Sequence, residues 1–145
     1  MEVFTIGFTK KNAAEFFGLL RRNGIKRLVD VRLNNVSQLA GFTKREDLQF
    51  FLGEICGADY VHEPLLAPTQ EMLDAYKKKK GSWQAYEKEF LDLMAERKIE
   101  ERLERSLFAI PAALLCSEPT PANCHRRLVV EYLQNKWGDL KCKHL

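Results

Sequence analysis

Two short motifs near the C-terminus carry most of the residues with chemical potential. Cys116-Ser117-Glu118 closes an apolar run, and Cys124-His125-Arg126 follows after a turn rich in proline. A thiol near a helix start, beside an imidazole and a guanidinium, meets three influences that favour its thiolate. Cys124 is therefore the candidate nucleophile, with His125 as acid or base. The bland alternative for Cys124 is a small buried hydrophobe on the inner face of the helix. Glu118 is the candidate general base or an acceptor for a substrate donor, or else the ion-pair partner of Arg32 or Arg126. Locked against arginine, a carboxylate has a depressed pKa and would orient the arginine instead of taking a proton. Cys116 ends an apolar strand, so burial suits it better than attack, and it is assigned to the ligand-lining residues.

Arg32 and Arg126 supply planar forks suited to phosphate or carboxylate. The start of the last helix adds backbone N–H donors and partial positive charge. Together they predict an anionic ligand, with Gly7, Asp30 and Asn34 beside it at neighbouring strand ends. Asp30 has a structural alternative, pairing with Arg32 or holding a loop. No metal and no cofactor are expected. The spacing C-x7-C-H matches no strong zinc signature, and adjacent Cys124 and His125 would point apart on a helix. The glycines form neither a dinucleotide fingerprint nor a phosphate-binding P-loop. No Cys-x5-Arg phosphatase loop exists, because the sixth residue after Cys116 is Ala122 and after Cys124 is Val130.

These residues need a scaffold that gathers them. Val3–Gly7 and Arg27–Arg32 are short buried-strand patterns. Between them Ala13, Phe16, Phe17 and Leu20 share one helix face, with Asn12 and Glu15 at capping-box spacing and Thr9 as a rival cap. Gly24 suits the helix stop. This βαβ unit implies a parallel sheet. Leu48, Phe51, Leu52 and Ile55 mark a second amphipathic helix ending near Gly57, and Asp59–His62 a third strand. Residues 69–105 read as helical, broken at Gly81-Ser82, with Ser82 as a cap and Tyr86, Phe90, Leu93 and Met94 on one face. Lys77–Lys80 reads as a solvated helix end, where positive charge suits the dipole. Ala112–Cys116 is another buried strand. Thr120 and Pro121 are the predicted cap and first residue of the last helix, and residues 140–145 a final strand. The order predicts an α/β, Rossmann-like fold: an open, mostly parallel sheet with helices on both faces. In such sheets ligands bind beyond the carboxyl ends of the strands, where all the candidate residues fall.

The 145 residues fit one domain, spanning 1–145, and need no disulfide to form a core. An apolar share of 46% with 30% charged residues is that of a globular chain, which excludes intrinsic disorder. No apolar run approaches the roughly 20 residues of a membrane span, and the opening lacks a secretory leader. A cytoplasmic protein with reduced cysteines and no membrane contact is expected. The net charge of +3 permits a phosphate-bearing partner without demanding one.

Thr5-Ile6-Gly7, Leu28-Val-Asp-Val-Arg32, Leu114-Leu-Cys-Ser-Glu118, Cys124-His-Arg126 and Lys143-His-Leu145 occur in the order seen in DUF488 proteins. Asn34-Asn35 and Leu66-Ala-Pro68 recur in the common bacterial and archaeal form. The chain resembles that family along almost its whole length. The resemblance implies a small prokaryotic α/β protein of unknown function. The chain departs at Phe8, where many relatives place His or Tyr.

Three functions follow as expectations. The first is an enzyme, a hydrolase or transferase, acting on a nucleotide-like or other phosphorylated small molecule. The second is a nucleic-acid-binding or regulatory module using the basic clusters Lys10-Lys11, Arg21-Arg22, Lys44-Arg45 and Lys77–Lys80. The third is a thiol redox or metal-binding protein. Pairing as a homodimer is open to all three.

Overall fold

The computed structural model describes residues 1–34, 41–79, 81–117 and 122–145. Five strands form one open sheet, and all of them are parallel, where a mostly parallel sheet was expected. They are β1 (Glu2–Gly7), β2 (Arg27–Asp30), β3 (Asp59–His62), β4 (Ala112–Cys116) and β5 (Lys141–His144). The spatial order is β3-β2-β4-β1-β5. The β1–β2 crossover thus leaves a gap that β4 later fills.

Side chains alternate across this sheet, as strand geometry demands. Phe4, Ile6, Leu28, Ala113 and Leu115 face one layer, where they meet Phe16, Phe17 and Leu20 of α1 (Ala13–Arg22) and Leu48 of α2 (Arg45–Phe51). Val3, Val29, Ala112, Leu114 and Cys116 face the other. There they pack against α3 (Gln70–Lys77), α4 (Trp83–Arg97), α5 (Ile99–Arg102) and α6 (His125–Trp137). The expectation of helices on both faces holds. The period of two also aims Cys116 towards the α6 layer.

Local signals explain most boundaries. The Asn12 side chain accepts from Glu15 N, and the Ser82 hydroxyl from Ala85 N, so both caps form as their spacing predicts. Gly24 has φ of +66° just past α1, a conformation that costs other residues about 1–2 kcal/mol.

Three expectations need correction. The strand read as Arg27–Arg32 ends at Asp30, and two residues on, Arg32 N donates to the Asp30 carboxylate instead of to a neighbouring strand. The second helix widens into a π-type turn over Leu52–Cys56. That turn carries Ile55 out to solvent, while Leu48 and Leu52 stay buried. The last helix begins at His125, with Ala122 and Asn123 in a turn and Cys124 as its N-cap. Thr120 and Pro121 lie outside the described residues. No helix among the described residues is long and apolar enough to cross a membrane.

Candidate functional site

The carboxyl ends of β2 and β4 open onto a pocket of about 290 Å³, roofed by α3 and α4 and floored by the start of α6. That volume is near the lower end of the roughly 300–1,000 Å³ of small-molecule sites. Arg32, Asn34, Cys116, Cys124 and His125 all line it. Five of the residues singled out from sequence therefore line one pocket. Gly7, Asp30 and Arg126 are not among the lining residues, and Glu118 lies outside the described residues.

Arg32 is held from several sides. Its Nε and Nη2 fork onto the Asp30 carboxylate at 2.9 Å each, and Nη2 also donates to Thr43 O at 2.7 Å. Tyr60 donates its hydroxyl to the same carboxylate, and His62 Nε2 donates to Arg32 O at 3.0 Å. The ring of Phe8 lies 5.5 Å from the guanidinium carbon, a cation–π contact. The Phe8 ring thus serves as a platform for the guanidinium. With Arg32 only 4% exposed, its Nη1 is buried without a hydrogen-bond acceptor among the described residues. A buried donor left unpaired costs about 1–3 kcal/mol, more when charged.

The floor is a thiol–imidazole cluster. His125 Nε2 lies 2.7 Å from Val31 O, and a carbonyl can only accept, so this nitrogen carries the proton. In the neutral tautomer this leaves the lone pair on Nδ1, which faces Cys116 Sγ at 3.5 Å. The donor atoms of Cys116, Cys124 and His125 all lie within 4.8 Å of one another. Arg126 is fully buried behind them and donates from Nη1 to Cys124 Sγ at 3.7 Å.

This geometry changes two expectations. Burial, and then the neighbouring Cys116 thiol, push the Cys124 thiol above its ordinary value, against a weaker opposing effect of His125. The activation expected from sequence is thus outweighed by desolvation, and the resting group is a thiol. Cys124 and His125 would diverge only if both lay within a helix. Cys124 is extended instead, with φ of −137° and ψ of 138°, and its sulfur lies within 4.8 Å of the His125 donor nitrogen. Arg126, assigned to the ligand, supports Cys124 from below. Asp30 buttresses Arg32.

The sequence reading missed the opposite wall. Tyr76 and Tyr86 have ring centroids 5.3 Å apart, and Trp83 stacks on Tyr86 at 5.1 Å and 22°. All three line the pocket, with Lys77 and Lys78 at its rim. Lys78 pairs with Asp74 at 3.4 Å, which offsets that carboxylate beside the pocket. Both lysines are solvated, as expected, yet border the site. The available signal was Trp83 and Tyr86 one helical turn apart, next to a basic run. A second cleft of about 420 Å³ runs beside Arg27, Glu63 and Arg102, with neither thiol nor imidazole among the described residues that line it.

The model of the domain of unknown function DUF488 matches residues 12–133. The chain belongs to the DUF488 family. Neither a curated protein nor a solved structure matches it. The matched span includes Arg32, the aromatic wall and the whole thiol–imidazole cluster of this DUF488 protein.

Proposed function

We propose that the pocket is the site of an enzyme, a hydrolase or transferase, acting on a nucleotide-like or other phosphorylated small molecule. The supporting observation is the unpartnered Nη1 of Arg32, buried at a pocket that also presents two lysines and an aromatic wall. A phosphate oxygen is the acceptor that this donor needs. Lys77 and Lys78 add positive charge at the mouth, and the N-terminus of α6 adds more at the floor. Trp83 and its tyrosine neighbours offer a flat surface for a base or sugar. His125, with its lone pair on Nδ1, is the group for proton transfer beside the ligand.

Calorimetric titration of phosphorylated small molecules against their dephosphorylated counterparts tests this reading. Nucleoside monophosphates and sugar phosphates should bind, and Arg32→Met should weaken them about tenfold or more, or about 1.4 kcal/mol. Trp83→Ala should weaken nucleotides more than sugar phosphates. Turnover followed by phosphorus NMR should be lost in His125→Asn. Equal affinity for phosphorylated and dephosphorylated compounds would sink the proposal.

A further inference from the structure

Anion binding leaves the two sulfurs at the floor of the pocket without a role. Their arrangement with His125 has a definite chemistry. Zinc binds thiolate at about 2.3 Å and imidazole at about 2.0–2.1 Å, so a tetrahedral ion separates the two donors by about 3.5 Å. Cys116 Sγ and His125 Nδ1 stand 3.5 Å apart.

The surroundings suit a metal as well as the donors do. A ligating histidine commonly gives its other ring N–H to a backbone carbonyl, which fixes the tautomer and raises the basicity of the ligating nitrogen. His125 does this with Val31 O at 2.7 Å. The buried guanidinium of Arg126 reaches Cys124 Sγ at 3.7 Å, where it would offset thiolate charge. Cys116 ends a central strand, Cys124 caps α6 and His125 opens it. The three donors are therefore gathered before any ion arrives. All three residues also line the pocket.

We propose that Cys116, Cys124 and His125 form a three-donor site for a zinc-class divalent ion, with its fourth position open to the pocket. Two thiolates and an imidazole suit a borderline-soft ion such as zinc(II) better than magnesium or calcium. Three protein donors with one open position is the pattern of catalytic zinc, whereas structural zinc is closed by four. On binding, the hydrated ion exchanges waters for two metal–sulfur bonds and one metal–nitrogen bond. The two thiol protons pass to solvent, and no oxidation state changes. A water left at the fourth position would face the phosphorylated ligand proposed above. The metal donors are different atoms from Nη1 of Arg32, so anion binding and metal binding can each fail alone. With an ion bound, His125 Nδ1 would be a ligand, and the proton-transfer role proposed for it above would apply only to the metal-free site.

The test uses reduced, tag-free protein stripped with a chelator and titrated with cobalt(II), then zinc(II). One equivalent of cobalt should give a near-ultraviolet thiolate charge-transfer band and the intense visible bands of four-coordinate cobalt. Zinc should displace it, with release of about two protons per ion at neutral pH. Cys56→Ser with Cys142→Ser should bind as the parent does. Cys116→Ser with Cys124→Ser should lose at least about a hundredfold in affinity. If that variant does not fold, zinc-edge X-ray absorption of the parent decides, with two sulfurs at about 2.3 Å expected. A shell of oxygen and nitrogen alone, or uptake below one equivalent, overturns the site. Formation of a Cys116–Cys124 disulfide by a reduced protein that takes up no metal overturns it too. The phosphate titration, run on metal-free protein, reports separately on the anion site.

Discussion

Arg32 and His125 are each fixed by a partner that leaves one functional atom over. Asp30 and Thr43 occupy two nitrogens of the guanidinium, and Val31 occupies one nitrogen of the imidazole. What remains, Nη1 of Arg32 and Nδ1 of His125, belongs to residues that line the pocket. Buried ion pairs add little net stability, so the Asp30–Arg32 fork is better understood as orientation. Tyr132 plays a comparable part for the helix that carries the cluster, giving its hydroxyl to Glu100 at 2.6 Å. Burial and that carboxylate push Tyr132 up to about 12 from an ordinary 10.0. An acid raised on folding stabilises fully below its unfolded pKa, and the benefit is lost as pH rises through the folded value. Tyr132→Phe should therefore flatten the fall in stability between pH 10 and 12, measured by urea unfolding at stepped pH. Burial pushes Cys142 up to about 11 and adds to the same limb, so the comparison is with the parent protein. An unchanged slope would mean that Tyr132 ionises freely in the fold.

At the scale of elements, the turn between α3 and α4 governs the aromatic wall. Gly81 N donates to Ala75 O at 2.9 Å, and a Cβ on Gly81 would sit 2.8 Å from that same oxygen. The obstacle is backbone at the end of a helix, which cannot swing aside as a side chain can. Gly81→Ala should therefore push α3 and α4 apart, separating Tyr76 from Trp83, whose rings are 5.6 Å apart. The expected outcome is a loss of about 1–3 kcal/mol in stability. Tryptophan emission should shift to the red and phosphorylated ligands should bind more weakly. Unaltered emission would show that the turn absorbs the methyl group without moving the wall. The start of α6 is the second governing element. Had the helix run from Pro121, Cys124 would lie within it and its sulfur would diverge from His125.

At the scale of the molecule, the strand order does the gathering. β4 lies between β1 and β2, so Cys116 emerges beside the chain that leaves Asp30 for Arg32. Val31 N extends the ladder by donating to Leu115 O at 3.1 Å, which locks the two strand ends together. The same order predicts a gradient of rigidity. β4 is buried and hydrogen-bonded on both sides, whereas β3 and β5 are edges with exposed residues. Native-state hydrogen exchange should be slowest at Ala113–Leu115 and should open first in β3 and β5. Exchange in β4 as fast as in β5 would contradict this order. The basic pairs also divide at this scale. Lys10 and Lys11 follow β1 at the pocket edge of the sheet, while Arg21 and Arg22 end α1 at the opposite edge.

Much of this was readable from the chain itself. Apolar periods of two and of three to four marked the strands and most helices, because burial on one face imposes them. Asn12 and Ser82 announced helix starts through short-range bonds that need no tertiary context. Arg32, Asn34, Cys116, Cys124 and His125 could be picked out because parallel sheets place ligands at strand ends. Other features depend on groups far apart in sequence. The tautomer of His125 is set by Val31, the ionisation of Cys124 by burial, and the free nitrogen of Arg32 by Asp30 and Thr43. The aromatic wall reaches the site only because α3 and α4 pack over it. Local sequence determined the elements and the reactive residue types. Tertiary structure decided which atoms meet and how dry they are, and those two conditions set the chemistry of the pocket.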